Sequence, residues 1–445
     1  MINYNLHQAA SITGATLIGK PCHFRGISID SRTDCSHKLF IAIQGPHFNG
    51  ENYCQQAIDN GAIAVLVSSP QDINIPQLIC NNSLKALTVL AKNWAKQCQA
   101  KIIAITGSNG KTTVKNMLKS ILSIANQCSA TQGNLNNEIG VPLTLCNIHA
   151  NDKYAIIEMG AAQLGDISYL VSLVDIETAV LTNVSAAHIG RFGSLENIVH
   201  EKGKIFSNQK ETQHCILPFD DDNYSTWVSA SNCKILNFGT NNDADIRVET
   251  NKTFNLLTKS GSIEDIKLPI AGQHNQLNAA CAASAAISLG INYTEIKQGL
   301  QNFISESGRL EDLGIFNGNR IINDSYNANP QSVKAAINVL ATYNHPTTLV
   351  FGDMAELGTD SQQLHQAIGH YCKQQNISHL LTIGADSKYA SMAFSDNIQH
   401  FDSINSLKNH LLENWSQFGS ILVKGSRSMH LENLINGLTD SEKVA

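Results

Sequence analysis

The sequence predicts an α/β fold with mainly parallel sheets, divided into three domains. Three observations predict it. The chain has 445 residues, too many for one hydrophobic core, which stops growing near ~250–300 residues. Short apolar runs of strand character alternate with helix-like stretches, the pattern of βαβ units. The alternation then restarts near Gly308 with a new set of strands. The expected domains cover residues 1–98, 99–310 and 311–445.

In the first domain, residues 40–43 (FIAI) and 62–67 (AIAVLV) read as buried strands. A helix over 53–60 lies between them and stops at Gly61. Leu84, Leu87, Leu90 and Trp94 recur at helical spacing and predict an amphipathic helix over 83–100. Residues 101–106 (KIIAIT) form a strand that runs into glycines, followed by a helix over 114–125. Further buried strands are expected at 154–159 (YAIIEM) and 178–182 (TAVLT). The polar stretch 219–265 reads as strands and turns, with Asp220–Asp222 a solvated acidic loop, and 277–289 as an Ala-rich helix. In the last domain 320–323, 348–351, 380–383 and 420–423 read as strands separated by helices.

Composition narrows the class. Apolar residues at 42% and charged residues at 15% exclude a disordered chain. A net charge of −6 excludes a general nucleic-acid coat. The eleven cysteines are scattered without a C-x-x-C pair, which argues against a disulfide framework and a zinc ribbon. No basic leader precedes an apolar stretch, and no run of 18 apolar residues occurs, so no signal peptide and no membrane insertion are expected. The expectation is a cytoplasmic protein.

The strongest chemical signal is Thr106-Gly-Ser-Asn-Gly-Lys-Thr-Thr113, between a strand and a helix. Gly107 and Gly110 allow a tight turn whose N–H groups, with those of Ser108, Asn109 and Thr113, can face phosphate oxygens. Lys111 can reach the terminal phosphates, and the Thr112 hydroxyl can hold Mg²⁺. The loop is shorter than the standard G-x-x-x-x-G-K-[ST], because position 105 is Ile. An ordinary glycine turn would not explain strand, Gly-Lys-Thr-Thr and helix in that order. Glu158 ends a neighbouring strand, where a carboxylate faces the ligand edge and can hold the metal; a solvent-facing strand end is the bland alternative. His188 follows the strand 178–182, and Lys202 lies on a helix after Glu196; alone, each would read as a surface group. Residues 134–142 (NLNNEIGVP) hold polar amides before a helix. Asp324 and Tyr326, in 322–330 (INDSYNANP), could accept a proton or hydrogen bond and offer a flat face to a base. Two more polar junctions, 351–358 (FGDMAELG) and 424–427 (KGSR), sit at strand ends of the same domain, the edge at which ligands bind.

Taken together, TGSNGKTT, NLNNEIGVPLT, IIEMGA, TNVSAAHIGRFGS, EKGKIF, GQHNQLNAAC, SGRLE, NDSYNANP, GDMAELG and KGSRSM resemble the Mur ligases of bacterial cell-wall synthesis. The opening SIDSRT and the stretch LFIAIQGPHFNGENY resemble the first domain of that family. The resemblance spans nearly the whole chain in order. It implies a UDP-sugar domain (1–98), a central P-loop ATPase (99–310) and a C-terminal Rossmann-like domain (311–445). It implies ATP and two Mg²⁺ ions, one held by Thr112 and Glu158, the second near His188 and Lys202, with Lys202 a candidate for carbamylation. Lys111, His188, Lys202 and Asp324 are the implied catalytic groups. Asn275, Arg309, Asp324 and Tyr326 would contact nucleotide, and Ser31, Arg32, Asn134, Asn137 and Glu138 the other substrate. The absence of a D-N-P-R motif favours the member that joins D-alanyl-D-alanine to UDP-N-acetylmuramoyl-tripeptide, acting as a monomer on small-molecule substrates. Whether the third peptide residue is diaminopimelate or lysine stays open. Lys204 departs from the acidic residue expected there. A folylpolyglutamate synthetase would share the ATPase core but not SIDSRT, and a non-catalytic scaffold would have no reason to keep Lys111, Thr112, Glu158, His188, Lys202 and Asp324 together.

Overall fold

The computed structural model describes residues 1–45, 48–185, 189–207, 209–250, 253–395 and 397–439. Three large sheets follow one another along the chain. The first has five strands in the order Thr16–Ile18, Gln77–Ile79, Ala64–Val67, Leu39–Ile41, Ile27–Ser28, parallel except for the first pair. The second has nine strands: Cys128–Ala130, Tyr154–Glu158, Lys101–Thr106, Ile176–Leu181, His214–Pro218, Lys234–Gly239, Ile246–Thr250, Phe254–Thr258 and Gly261–Ile266. Its first seven strands are parallel and the last two antiparallel. The third has six, Glu311–Phe316, Asn319–Asp324, Ser420–Lys424, Thr347–Gly352, His379–Ile383 and His400–Phe401, with only the first pair antiparallel. The α/β expectation with mainly parallel sheets is met.

Parallel strands covered on both faces read as continuous apolar runs. Tyr154–Glu158 and Thr347–Gly352 are buried at every position. The helix Ser83–Cys98 starts at Asn82, whose side chain accepts the Lys85 N–H, and it buries Leu87, Leu90, Ala91 and Trp94. The expected helix at 114–125 begins earlier, at Lys111, because Gly110 takes φ +79° and turns the chain directly into Lys111–Leu122. The stretch 219–265 is not mere strand and turn: the helix Tyr224–Ser229 lies inside it, and its four strands, the last running to Ile266, extend the central sheet. Asp220 is no free loop carboxylate, since it accepts hydrogen bonds from the backbone of Thr240 and Asn241 and from the Thr240 hydroxyl. Cys215 and Cys233 are joined in a disulfide, a pair that scattered spacing does not reveal.

The first two sheets share a core. Ile2, Phe24, Leu66, Leu90 and Trp94 belong to the same buried cluster as Ile102, Val141, Ile157, Leu181 and Trp227. Backbone bonds stitch the seam: the Met1 amine donates to the Ile148 carbonyl at 2.7 Å and the Ile2 N–H to Cys146 at 2.7 Å. The third sheet is different. Its two faces carry separate clusters, one around Phe351 and Leu422, the other around Val350 and Leu434. It meets the central sheet through polar side chains, among them an Arg191–Glu356 ion pair at 2.5 Å.

Candidate active site

The phosphate-loop strand Lys101–Thr106 lies between Tyr154–Glu158 and Ile176–Leu181. Chain connections therefore diverge to either side of it, and such a switch point opens a crevice at the strand C-termini. A cavity of about 1320 Å³ occupies this edge and extends to Leu84 on the helix Ser83–Cys98 on one side and to the strand ends Asp324 and Lys424 of the third sheet on the other.

Two glycines shape the loop. A Cβ on Gly107 (φ +152°) would lie 1.9 Å from the Thr182 hydroxyl, and one on Gly110 would lie 2.4 Å from Asn278 Oδ1. Side chains from the next strand end hold the loop. The Asn183 Oδ1 accepts the Asn109 N–H at 3.0 Å, and Thr182 Oγ1 donates to the Asn109 carbonyl at 2.6 Å. Lys111 folds back, its Nζ donating to the Gly107 carbonyl at 2.8 Å and to Ser108 at 3.4 Å. Burial pushes this ammonium down, Glu158 opposes that shift and Arg309 adds to it. An incoming phosphate would relieve the burden by supplying an anion.

Thr112 donates to Glu158 Oε2 at 2.9 Å, while Asn136 Nδ2 donates to Glu158 Oε1 at 2.8 Å. A hydroxyl and a carboxylate beside a phosphate loop are the hard oxygen donors that Mg²⁺ takes, with waters and phosphate completing its shell. These residues fit that ion. Lys202 is buried in the cavity wall on the helix Leu195–Gly203. Burial and the Lys111 charge bring its amine down to about 7, against the opposing pull of Glu201. Glu201 is not among the cavity's lining residues and accepts the N–H groups of Gly165 and Ile167 at 2.9 and 2.7 Å. Trp227 fixes the same helix, packing where a Cβ on Gly203 would be and donating to the Val199 carbonyl at 3.3 Å.

The far wall comes from the last domain and the segment before it. Arg309 stacks over Tyr326 with its guanidinium carbon 4.0 Å from the ring centroid, so one ring face is already covered. Its Nη2 donates to the Thr112 hydroxyl at 3.1 Å, and its buried Nε has no hydrogen-bond partner among the described residues. Both oxygens of Asp324 are engaged, one by the Leu310 N–H at 3.1 Å, the other by Lys424 Nζ at 2.6 Å. Asp324 therefore serves as the anchor of a buried ion pair at the cavity edge. Asn109 reaches the last domain through Asn329 Nδ2 at 2.6 Å and Gln331 Oε1 at 3.0 Å.

Of the residues singled out from sequence, Ser108, Asn109, Gly110, Lys111, Thr112, Thr113, Asn137, Glu138, Glu158, Lys202, Asn275, Arg309, Asp324 and Tyr326 all line the cavity. Gly107 lies in the loop beneath it. Ser31, Arg32 and Asn134 are not among its lining residues. Ser31 donates to Gln56 at 2.7 Å, and Arg32 pairs with its near neighbour Asp30 at the exposed surface. His188 lies outside the described residues. Sequence reasoning missed Asn136, Thr182, Asn183, His274, Asn329 and Gln331. The loop-holding side chains of Thr182 and Asn183 had one readable signal, a polar pair directly after a buried strand.

Comparisons with known proteins match the chain along nearly its whole length. Residues 23–106 match the model of the Mur ligase family, catalytic domain; residues 105–286 match the Mur ligase middle domain; residues 308–427 match the Mur ligase, glutamate ligase domain. The chain is 38% identical to a UDP-N-acetylmuramoyl-tripeptide–D-alanyl-D-alanine ligase of Escherichia coli (strain K12), covering 99% of each chain. It is 34% identical to the Haemophilus influenzae protein of the same name, over 100% of both chains. Among solved structures it resembles MurF from Acinetobacter baumannii, with a TM-score of 0.90 at 31% identity over 99% of each chain.

Proposed function

The chain belongs to the Mur ligase family, and we infer from that premise that it joins D-alanyl-D-alanine to UDP-N-acetylmuramoyl-tripeptide at the expense of ATP, a step of peptidoglycan synthesis. The observation that carries the ligase reading is one cavity in which the phosphate loop, Glu158, Lys202 and Arg309 converge. The choice of member rests on likeness along the entire length, the first domain included.

The reaction needs a carboxylate oxygen to become a leaving group. The tripeptide's terminal carboxylate attacks the γ-phosphorus, the bond to the β,γ-bridging oxygen breaks, and ADP leaves. The D-alanyl-D-alanine amine then attacks the acyl carbon, phosphate departs, and the amine loses a proton. Anionic carboxylate and triphosphate repel one another, so the site must supply positive charge. Lys111 and Arg309 supply it at the phosphates, and the loop N–H groups fix the chain of phosphates in line. Thr112 and Glu158 would hold one Mg²⁺, which when bound neutralises charge developing on the transferred phosphoryl group. His188 and Lys202 are proposed for a second. Lys202 suits carbamylation because its buried amine, at about 7, is about half uncharged near neutrality, where an ordinary lysine is almost wholly protonated. An uncharged amine adds CO2 and releases a proton, leaving an anionic metal ligand. Residues 1–98 are assigned to the UDP-sugar, 99–310 to ATP and 311–445 to closure over the nucleotide. Ser31 and Arg32, with Asn134, Asn137 and Glu138, are proposed for the sugar-peptide. One chain carries every group named, so a monomer suffices, and ATP as co-substrate makes the cytoplasm the expected compartment.

The test is phosphate release by the purified protein with Mg-ATP and UDP-N-acetylmuramoyl-tripeptide, with and without D-alanyl-D-alanine. Release that requires all three, with a UDP-pentapeptide of the expected mass, supports the reading. Release with another acid or amine, or none, overturns it.

A further inference from the structure

Lys115 lies on the phosphate-loop helix three residues after Thr112 and is fully buried. Two carboxylates flank its ammonium. Glu306 Oε1 is 3.2 Å away, and Glu158 Oε2 is 3.9 Å away. The nearer one, Glu306, sits in the segment between the central and last domains and also accepts from Asn116 Nδ2 at 3.1 Å. The farther one, Glu158, uses that same Oε2 to accept the Thr112 hydroxyl.

A buried ammonium cannot stay without an anion, because desolvation costs several kcal/mol per ion. If Glu306 were neutral, Glu158 would be the one carboxylate left beside Lys115 among the described residues. The Lys115–Glu158 pair would tighten, and the lysine would compete with a divalent cation for the same oxygen. We propose that Glu306 is a positioning residue that draws Lys115 off Glu158 and so keeps Glu158 open to Mg²⁺. The inference rests on the reading of Glu158 as a metal ligand. It adds a consequence of location: because Glu306 belongs to the interdomain segment and its Oε2 lies 3.9 Å from Arg309 Nε, the metal site and that segment share one ion-pair network.

The experiment is calorimetric titration of ADP binding at a series of Mg²⁺ concentrations, with phosphate release as a second readout. Glu306→Gln is expected to raise the Mg²⁺ concentration for half-maximal ADP binding roughly tenfold, as a partly buried charge contact changes hands. ADP binding in chelator is expected to change less than the Mg²⁺ requirement, since the 3.9 Å contact of Glu306 Oε2 with Arg309 Nε is also weakened, and Glu306→Asp to keep the wild-type Mg²⁺ requirement. The double variant Lys115→Met/Glu306→Gln is expected to return it to the wild-type value or below, because the competing cation is gone. A Glu306→Gln titration that superimposes on wild type, while Glu158→Gln shifts, overturns this inference and leaves the metal reading standing. No shift with Glu158→Gln overturns both. Should Glu306→Gln not fold, the double variant decides, and a raised requirement there overturns the proposal.

Discussion

Arg309 and Thr112, 197 residues apart in sequence, meet at 3.1 Å between the guanidinium Nη2 and the hydroxyl oxygen. One arginine thereby touches the phosphate loop while its other surface stacks on Tyr326 of the last domain. The fork and the stack are both properties of a planar guanidinium, and an ammonium reproduces neither. Arg309→Lys is therefore expected to raise KM for ATP roughly tenfold and to lower kcat less. Initial-rate kinetics with varied ATP check this; an unaltered KM would remove Arg309 from the nucleotide site.

Lys111→Ala takes away the cation that a buried phosphate chain would meet. A loss of roughly a thousandfold in kcat is expected, the scale of removing one preorganised charge donor. Binding of the UDP-tripeptide, measured by calorimetry without ATP, should hardly move. Undiminished turnover would refute the phosphate-loop assignment.

Lys202→Ala should abolish most activity, and short carboxylic acids should restore part of it by occupying the carbamate's place. In the wild type at fixed CO2, activity should fall as pH drops through about 7, where the amine gains its proton. A carbamate signal in carbon-13 spectra that disappears with the lysine would identify the adduct directly, and its absence together with failed rescue would refute it.

His274 lines the cavity, and burial brings it from the ordinary 6.5 down to about 4; Asp324 opposes the shift and Lys424 adds to it. Between those two values the unfolded chain binds more protons than the folded one, so stability rises with pH across that window. It is complete above 6.5 and lost as pH falls through 4. The melting temperature of the wild type should decline on acidification from 6.5 to 4 more steeply than that of His274→Gln.

Trp227 is fully buried against Gly203. Trp227→Ala should cost about 3–5 kcal/mol in a denaturant titration. Activity should fall further than stability alone explains, because Gly203 and Lys202 share a helix. An active variant with an unmoved midpoint would contradict both parts.

The apolar strands were legible because burial on two faces leaves an unbroken signature, as in 154–158 and 347–352. Strands of only three residues that lie half exposed, such as Cys128–Ala130 and Thr16–Ile18, are too short to carry such a signature and are made by pairing. Within the site, Lys111, Thr112 and Glu158 announced themselves by lying in the loop or at the end of the adjacent strand. Glu306 could not: its partner Lys115 is 191 residues away, and no period or spacing connects them. Arg32 shows the opposite limit. Its place in a motif is plain, yet in the fold its charge is spent on Asp30, two residues back.

The single apolar cluster that runs from Ile2 to Trp227 predicts two cooperative folding units rather than three. Opening the first domain would uncover the flank of the central sheet, so amides on both sides of that seam should lose protection from hydrogen exchange together. The last domain has its own interior and a polar contact surface that water can replace at small loss. It can part from the rest while the other two stay folded, which makes separation of that one joint the least costly large motion available to the molecule.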